Sequence, residues 1–187
     1  MARATSFDIQ KARDVGLEEL STIGQGFVSQ SFDRTAVQGT FALAASTVYF
    51  VLFGARAEDT VTSVNFIVTT GSTSAASDTD RTGFVAVYDK NGNLMASSAS
   101  SASVFRTAGL ATFSLSTPLT IPRHDSYFAA LVNNITTPAT LARGMNTAGV
   151  SASVTGFPRP YGNATSSSLP PAATVGSASV ALWVGIT

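Results

Sequence analysis

The chain of 187 residues contains no cysteine. That excludes disulfide bridges, a thiolate zinc site and a cysteine nucleophile. It assigns no compartment, because a chain of this length can bury a sufficient core without covalent staples. Charge is scarce as well. Only 12% of the residues are Asp, Glu, Lys or Arg, against about 25% in an average soluble domain. The formal net charge is zero. A nucleic-acid-binding face needs a basic stripe, and none is present, so nucleic acid is not an expected partner. Long apolar runs are missing too. The longest, Val48 to Phe53, falls far short of the ~20 residues that span a bilayer, so no membrane partner is expected. The first ten residues hold no apolar stretch of the kind a secretory signal requires. The expectation is a protein made in the cytoplasm and not exported by the general route.

What the chain has in place of charge is Ser, Thr, Ala and Gly. The charges it does carry are uneven. Residues 1–34 hold nine of them (Arg3, Asp8, Lys11, Arg13, Asp14, Glu18, Glu19, Asp33 and Arg34) out of 11 basic and 11 acidic residues in all. This shift divides the chain into an arm, residues 1–45, and a domain, residues 46–187. Within the arm, Asp8 is a candidate helix N-cap. Ile9, Ala12, Val15 (or Gly16), Leu20 and Ile23 recur near helical spacing, and Gly24 and Gly26 end the pattern. An isolated helix of this length is marginal in water, so it needs a surface to lie on. That surface is either its own domain, a neighbouring subunit or a partner protein. Phe7, Ile9, Val15, Leu17, Leu20 and Ile23 are the candidate attachment residues.

Beyond residue 41 the period changes to two. Thr47 to Gly54 is a nearly continuous run of β-branched and aromatic residues. In Val61 to Thr70, Val64, Phe66 and Val68 share a face. Gly83 to Asp89 alternates Phe84, Ala86 and Tyr88 against Val85 and Val87. Asp89-Lys90-Asn91-Gly92-Asn93 then reads as a hairpin turn, and Leu94 to Ser98 as the returning strand. Leu110 to Leu115 is a strand broken at Thr117-Pro118, with a short strand at Leu119 to Ile121 after it. Ser126 to Asn133 and Ser179 to Ile186 complete the set. Seven or eight strands with one convincing helix predict a mainly β protein: a single antiparallel β-sandwich, jelly-roll-like, with an N-terminal helical or extended arm. Residues 72–81, 96–103 and 155–173 read as loops.

Few residues offer chemistry. His124, the single histidine, sits beside Asp125, but adjacent residues of an extended chain point to opposite faces. No nucleophile elbow, phosphate loop or dinucleotide fingerprint is present. Asp78 with Asp80, and Glu58 with Asp59, are carboxylate pairs in polar turns beside Arg81 and Arg56. Asp78-Thr79-Asp80 offers oxygen ligands to calcium but lacks the surrounding loop pattern. The expectation is no catalytic residue, no cofactor and no metal: not an enzyme. Aromatic residues remain as binding tools. Phe157, Tyr161 and Asn163 in the long loop are candidate glycan contacts. Trp183 lies opposite the Val180/Leu182/Val184 face, pointing outward or packed under the N-terminal segment.

Four stretches occur in a recurring order: Thr60 to Thr70, GFVAVYDKNGNLMASS at 83–98, GLATFSLSTPLTIP at 109–122, and SYFAALV at 126–132. The order resembles a β-sandwich module of structural proteins of tailed phages, especially those of actinobacteria. That module has a "YD-x-x-GNLLAS" hairpin, a "G…L…PxT(I/V)P" strand pair and a "YY(L/V)A(L/V)" strand. It occurs in minor tail proteins, fibres and small capsid-decorating proteins, and its folds resemble carbohydrate-binding jelly rolls. The resemblance covers about 75 residues and carries no catalytic signature. It implies a virion structural protein. The chain begins with Met and holds one sandwich, so it is expected to be complete. That size fits a capsid decoration protein on the virion surface, with the major capsid protein or other virion proteins as partners. Such a protein is expected to be a homo-oligomer, a trimer among the candidates. The alternative is a tail or fibre receptor-binding module that recognises host-surface glycans.

Overall fold

The structure is a computed structural model and describes residues 27–31, 36–45, 47–73, 83–99, 101–135, 137–146, 161–165 and 180–187. The expected helix over 8–23 lies outside these residues. The strands, in chain order, are β1 (Ser29–Gln30), β2 (Gly39–Ala42), β3 (Thr47–Ala55), β4 (Thr60–Thr70), β5 (Gly83–Tyr88), β6 (Leu94–Ser97), β7 (Gly109–Thr120), β8 (Asp125–Asn133), β9 (Thr140–Asn146), β10 (Tyr161–Thr165), β11 (Val180–Leu182) and β12 (Val184–Ile186). One short 3-10 helix, Ala102–Phe105, precedes β7.

The strands form two antiparallel sheets. The first runs β1-β12-β4-β9-β11, with β2 added to β9 and β7 to β4. The second runs β10-β3-β8-β5-β6. They pack face to face as a β-sandwich, the predicted fold class. The period-two pattern is what sorts the side chains. On β4, Val64, Phe66 and Val68 face inward, and Phe113 on β7 and Leu141 on β9 join them. From the second sheet come Val51 and Phe53 of β3, Val85 and Val87 of β5, and Leu131 of β8. Each such large side chain taken out of water contributes roughly 1.5–3 kcal/mol. The two sheets meet at their margins as well. Leu115 of β7 bridges Ser98 just after β6, and the Ser29 hydroxyl donates to the Gly54 carbonyl of β3.

Several expected elements change form. The strands expected on either side of Pro118 are one strand, β7. Ser114 faces Ser63 and Leu119 faces Val61, so residues 115–118 bulge opposite Thr62 alone. A bulge leaves its extra residues unpaired, which accommodates a residue without an N–H. The last strand is split at Trp183, because its first half pairs with β9 and its second with β4. The expected loop at 96–103 contains the end of β6 and the start of the 3-10 helix, and that at 155–173 contains β10. Residues 29–30 and 39–42 of the expected arm are strands of the first sheet, paired with β12 and β9.

The hairpin between β5 and β6 forms where predicted, but its geometry differs from a two-residue Asn-Gly turn. Only Gly92 takes a positive φ, at 83°. The Gly92 N–H donates to the Asp89 carbonyl at 3.0 Å. The pairing slips by one residue between Val87 and Tyr88. This is the longer hairpin loop, a tight turn followed by a glycine in the left-handed region.

Candidate functional site

Two turns meet at one end of the sandwich and carry most of the described charge there. Asp89 opens the β5–β6 turn, and its side chain organises it. Oδ1 accepts the N–H groups of Asn91 at 2.8 Å and Asn93 at 2.9 Å, and Oδ2 accepts the Asn93 side-chain amide at 2.8 Å. An aspartate that bonds backbone N–H groups two and four residues on is a standard turn builder. The second turn, between β7 and β8, brings Arg123, His124 and Asp125. Lys90 Nζ lies 2.9 Å from Asp125 Oδ2, and Arg123 Nε lies 3.3 Å from the same oxygen. The Tyr127 hydroxyl donates to the Arg123 carbonyl at 2.8 Å.

These groups rim a hollow of about 220 Å³, lined by Asp89, Lys90, Met95, Pro122, Arg123, Asp125, Ser126 and Tyr127. Its electrostatics are settled internally. The Lys90 ammonium, the Ser126 N–H and the Arg123 charge hold the Asp125 carboxyl below its ordinary value. At Asp89, desolvation pushes upward, and the bonds from Asn93 and Asn91 with the Arg123 charge outweigh it, so its carboxyl is also held low. Both carboxylates are therefore charged acceptors at neutral pH, each already engaged by neighbours. Neither is arranged as a general acid. His124 is exposed and makes no hydrogen bond with a described residue. Met95 is the one half-buried apolar side chain of the lining, and Tyr127 is buried.

The other sequence candidates are placed as follows. Glu58 and Asp59 occupy the turn between β3 and β4, where Asp59 Oδ2 accepts the Arg56 N–H at 2.9 Å and Glu58 takes a φ of 71°. The Asp59 carboxylate thus helps to build the turn. Asp78, Asp80 and Arg81 lie outside the described residues. So do Phe7, Ile9, Val15, Leu17, Leu20, Ile23 and Phe157. Tyr161 and Asn163 are described only as backbone of β10, paired with Val51 and Tyr49 of β3. Trp183 is fully buried and packed against Phe27 with ring centroids 5.3 Å apart, which is the inward of its two expected positions. Among the described residues, no group of three or more His, Asp or Glu side chains stands close enough to hold a metal ion.

The residue pattern also hid one feature that the structure makes plain. The outward side of the second sheet is apolar and buried. Val48, Phe50, Ala86, Tyr88, Phe128, Ala130 and Val132 form a cluster there, separate from the core between the sheets. The signal was present in the sequence. Val48–Phe53 and Tyr127–Val132 are continuous apolar runs and do not alternate, the pattern of strands covered on both faces. Compared with protein-family models and with curated proteins, the chain matches none.

Proposed function

We propose that this chain is a structural protein of a tailed-phage virion, a capsid decoration protein that binds the assembled shell and stabilises it. The observation that carries the reading is where the resembling stretches fall in the fold. The stretch at 60–70 is β4, that at 83–98 is the β5–β6 hairpin, that at 109–122 is β7, and that at 126–132 lies in β8. β4 pairs with β7 in the first sheet, and β5 pairs with both β6 and β8 in the second. The likeness thus follows contiguous strands of both layers of a packed module.

Stabilisation under this reading is mass action. A protein that binds only the assembled shell shifts the assembly equilibrium by the free energy of that binding. Many weak, symmetric contacts suffice, and no chemistry is needed. The described exterior is consistent with such a role. The first sheet presents Thr112 and Ser114 outward on β7, small and uncharged.

The test uses the purified full chain and capsids assembled without it. Saturable co-sedimentation with the shells, together with a higher temperature of shell rupture, is the expected result. Binding to isolated tails and not to shells would favour the alternative of a tail or fibre module recognising host glycans. That alternative's candidate side chains, at 157, 161 and 163, lie outside the described side chains.

A further inference from the structure

The β5–β6 turn holds the one Asn-Gly pair of the sequence, Asn91-Gly92. Asparagine is a chemically labile residue. It is most labile before glycine, whose missing side chain leaves its nitrogen open to approach. The reaction needs no enzyme. The Gly92 nitrogen attacks Asn91 Cγ, and a new C–N bond forms. The bond from Cγ to the side-chain amide nitrogen breaks, and that nitrogen leaves as ammonia with the proton given up by Gly92. The product is a five-membered succinimide. Water then adds to one of its two carbonyls. One choice gives aspartate. The other gives isoaspartate, in which the backbone runs through the side-chain carbon.

Asn91 is exposed, and its side chain makes no hydrogen bond with a described residue, so the amide is open to attack. The nitrogen that must attack it is held. The Gly92 N–H donates to the Asp89 carbonyl at 3.0 Å, and Gly92 takes a φ of 83°. Attack also needs the peptide between Asn91 and Gly92 to rotate. That peptide is pinned on both sides. Asp89 Oδ1 accepts the Asn91 N–H at 2.8 Å and the Asn93 N–H at 2.9 Å, and Oδ2 accepts the Asn93 side-chain amide at 2.8 Å. We infer that Asn91 is a modification site of this protein and that Asp89 gates it: the amide converts to aspartate and isoaspartate when the bonds from Asp89 to the turn open.

The product does not suit the turn that guarded it. Either form sets a second carboxylate near that of Asp89, and like charges brought together repel. Isoaspartate also lengthens the backbone by one carbon between the two N–H groups that share Asp89 Oδ1. They are then no longer spaced for a single acceptor. Lys90 reaches Asp125 at 2.9 Å from the same turn, so conversion loosens the rim of the charged hollow as well.

The test follows residue 91 in the purified full chain, held in mildly alkaline buffer. Peptide mass spectrometry reads the amide-to-acid mass gain, and enzymatic methylation reads isoaspartate. The folded chain is expected to convert at least about tenfold more slowly than the same chain in guanidinium chloride, because conversion waits on local opening. Asp89→Ala, with its β content confirmed by circular dichroism, should move the rate toward that of the unfolded chain. Asp89→Asn keeps one oxygen acceptor and should fall between the parent and Asp89→Ala. Equal rates in the folded and unfolded parent would overturn the gate. So would a folded Asp89→Ala that converts no faster than the parent, or an Asp89→Asn that converts faster than Asp89→Ala. An absence of conversion even in denaturant would remove the site. If Asp89→Ala does not fold, hydrogen exchange of the Gly92 amide in the parent decides. Protection supports the gate, and exchange at the rate of an unfolded chain overturns it.

Discussion

Phe27 stands edge-on to Trp183, with ring centroids 5.3 Å apart and planes at 74°. Gly185 makes this contact possible. A Cβ at position 185 would lie 2.6 Å from the Phe27 ring and 2.7 Å from the Trp183 ring. Both rings are buried, so neither can swing away freely. Gly185→Ala is expected to destabilise the protein by about 1–3 kcal/mol, the usual cost of overpacking. Urea unfolding followed by the emission of the single tryptophan measures this. A midpoint equal to that of the parent chain would contradict the packing described.

Asn65 ties β4 to the last strand, as Thr62 and Ser63 also do through Thr187. It is 2% exposed, donates from Nδ2 to the Gly185 carbonyl at 3.1 Å and accepts from the Thr112 hydroxyl at 2.7 Å. Asn65→Leu removes both of these bonds and the longer one from Nδ2 to the Thr187 hydroxyl at 3.4 Å, and leaves the Gly185 carbonyl and the Thr112 hydroxyl without this partner. A loss of about 1–3 kcal/mol is expected. In a double-mutant cycle with Thr112→Val, the two losses should be less than additive, measured by thermal unfolding. Strict additivity would mean that the pair does not interact.

The β5–β6 turn should respond to acid. The Asp89 carboxyl is held below its ordinary value because the Asn93 and Asn91 bonds and the Arg123 charge outweigh desolvation. A carboxyl with a depressed folded value contributes stability that is present above its unfolded value, about 3.9. That contribution is lost as the pH falls through the lower folded value. The amide signals of Asn91 and Asn93 should therefore titrate together, with a midpoint below 3.9, and Asp89→Asn should abolish the transition. A midpoint at or above 3.9 would show that the carboxylate does not hold the turn.

At the alkaline end Tyr88 reports on the covered face of the second sheet. Burial pushes its hydroxyl up to about 12. An acid with a raised folded value adds stability that is full below the ordinary value near 10 and declines as the pH rises from there toward 12. Phenolate absorbance at 295 nm should show a late component that Tyr88→Phe removes. Tyr49 is displaced the same way, first by burial, with bonds from Ala44 and Thr47 partly opposing it. If Tyr88 ionised near 10, the face around it would be open to water.

Most of the fold could be read in the residues. Val64, Phe66 and Val68 gave β4 its inward face, and Asp89 to Asn93 gave the hairpin its position, because each signal is local. β9 was not legible. Its sequence, Thr140-Leu-Ala-Arg-Gly-Met-Asn146, has neither clean alternation nor β-branched enrichment, and it is a strand because β4, β2 and β11 offer it partners. The same holds for β10, whose Tyr-Gly-Asn-Ala-Thr looks like a loop until β3 pairs with it. Pro118 reads as a strand end, since no single-sequence rule announces a bulge. The charged hollow was out of reach because its two halves, at 89–95 and 122–127, are adjacent only after β5 and β8 pair.

The central claim is that this chain belongs to the shell of a virion, and its location on the particle tests that most directly. Cryo-electron microscopy of the particle that contains the chain is predicted to show the two-layered sandwich repeated over the outer surface of the capsid lattice. Density confined to the tail or its tip, with a bare capsid surface, would contradict it.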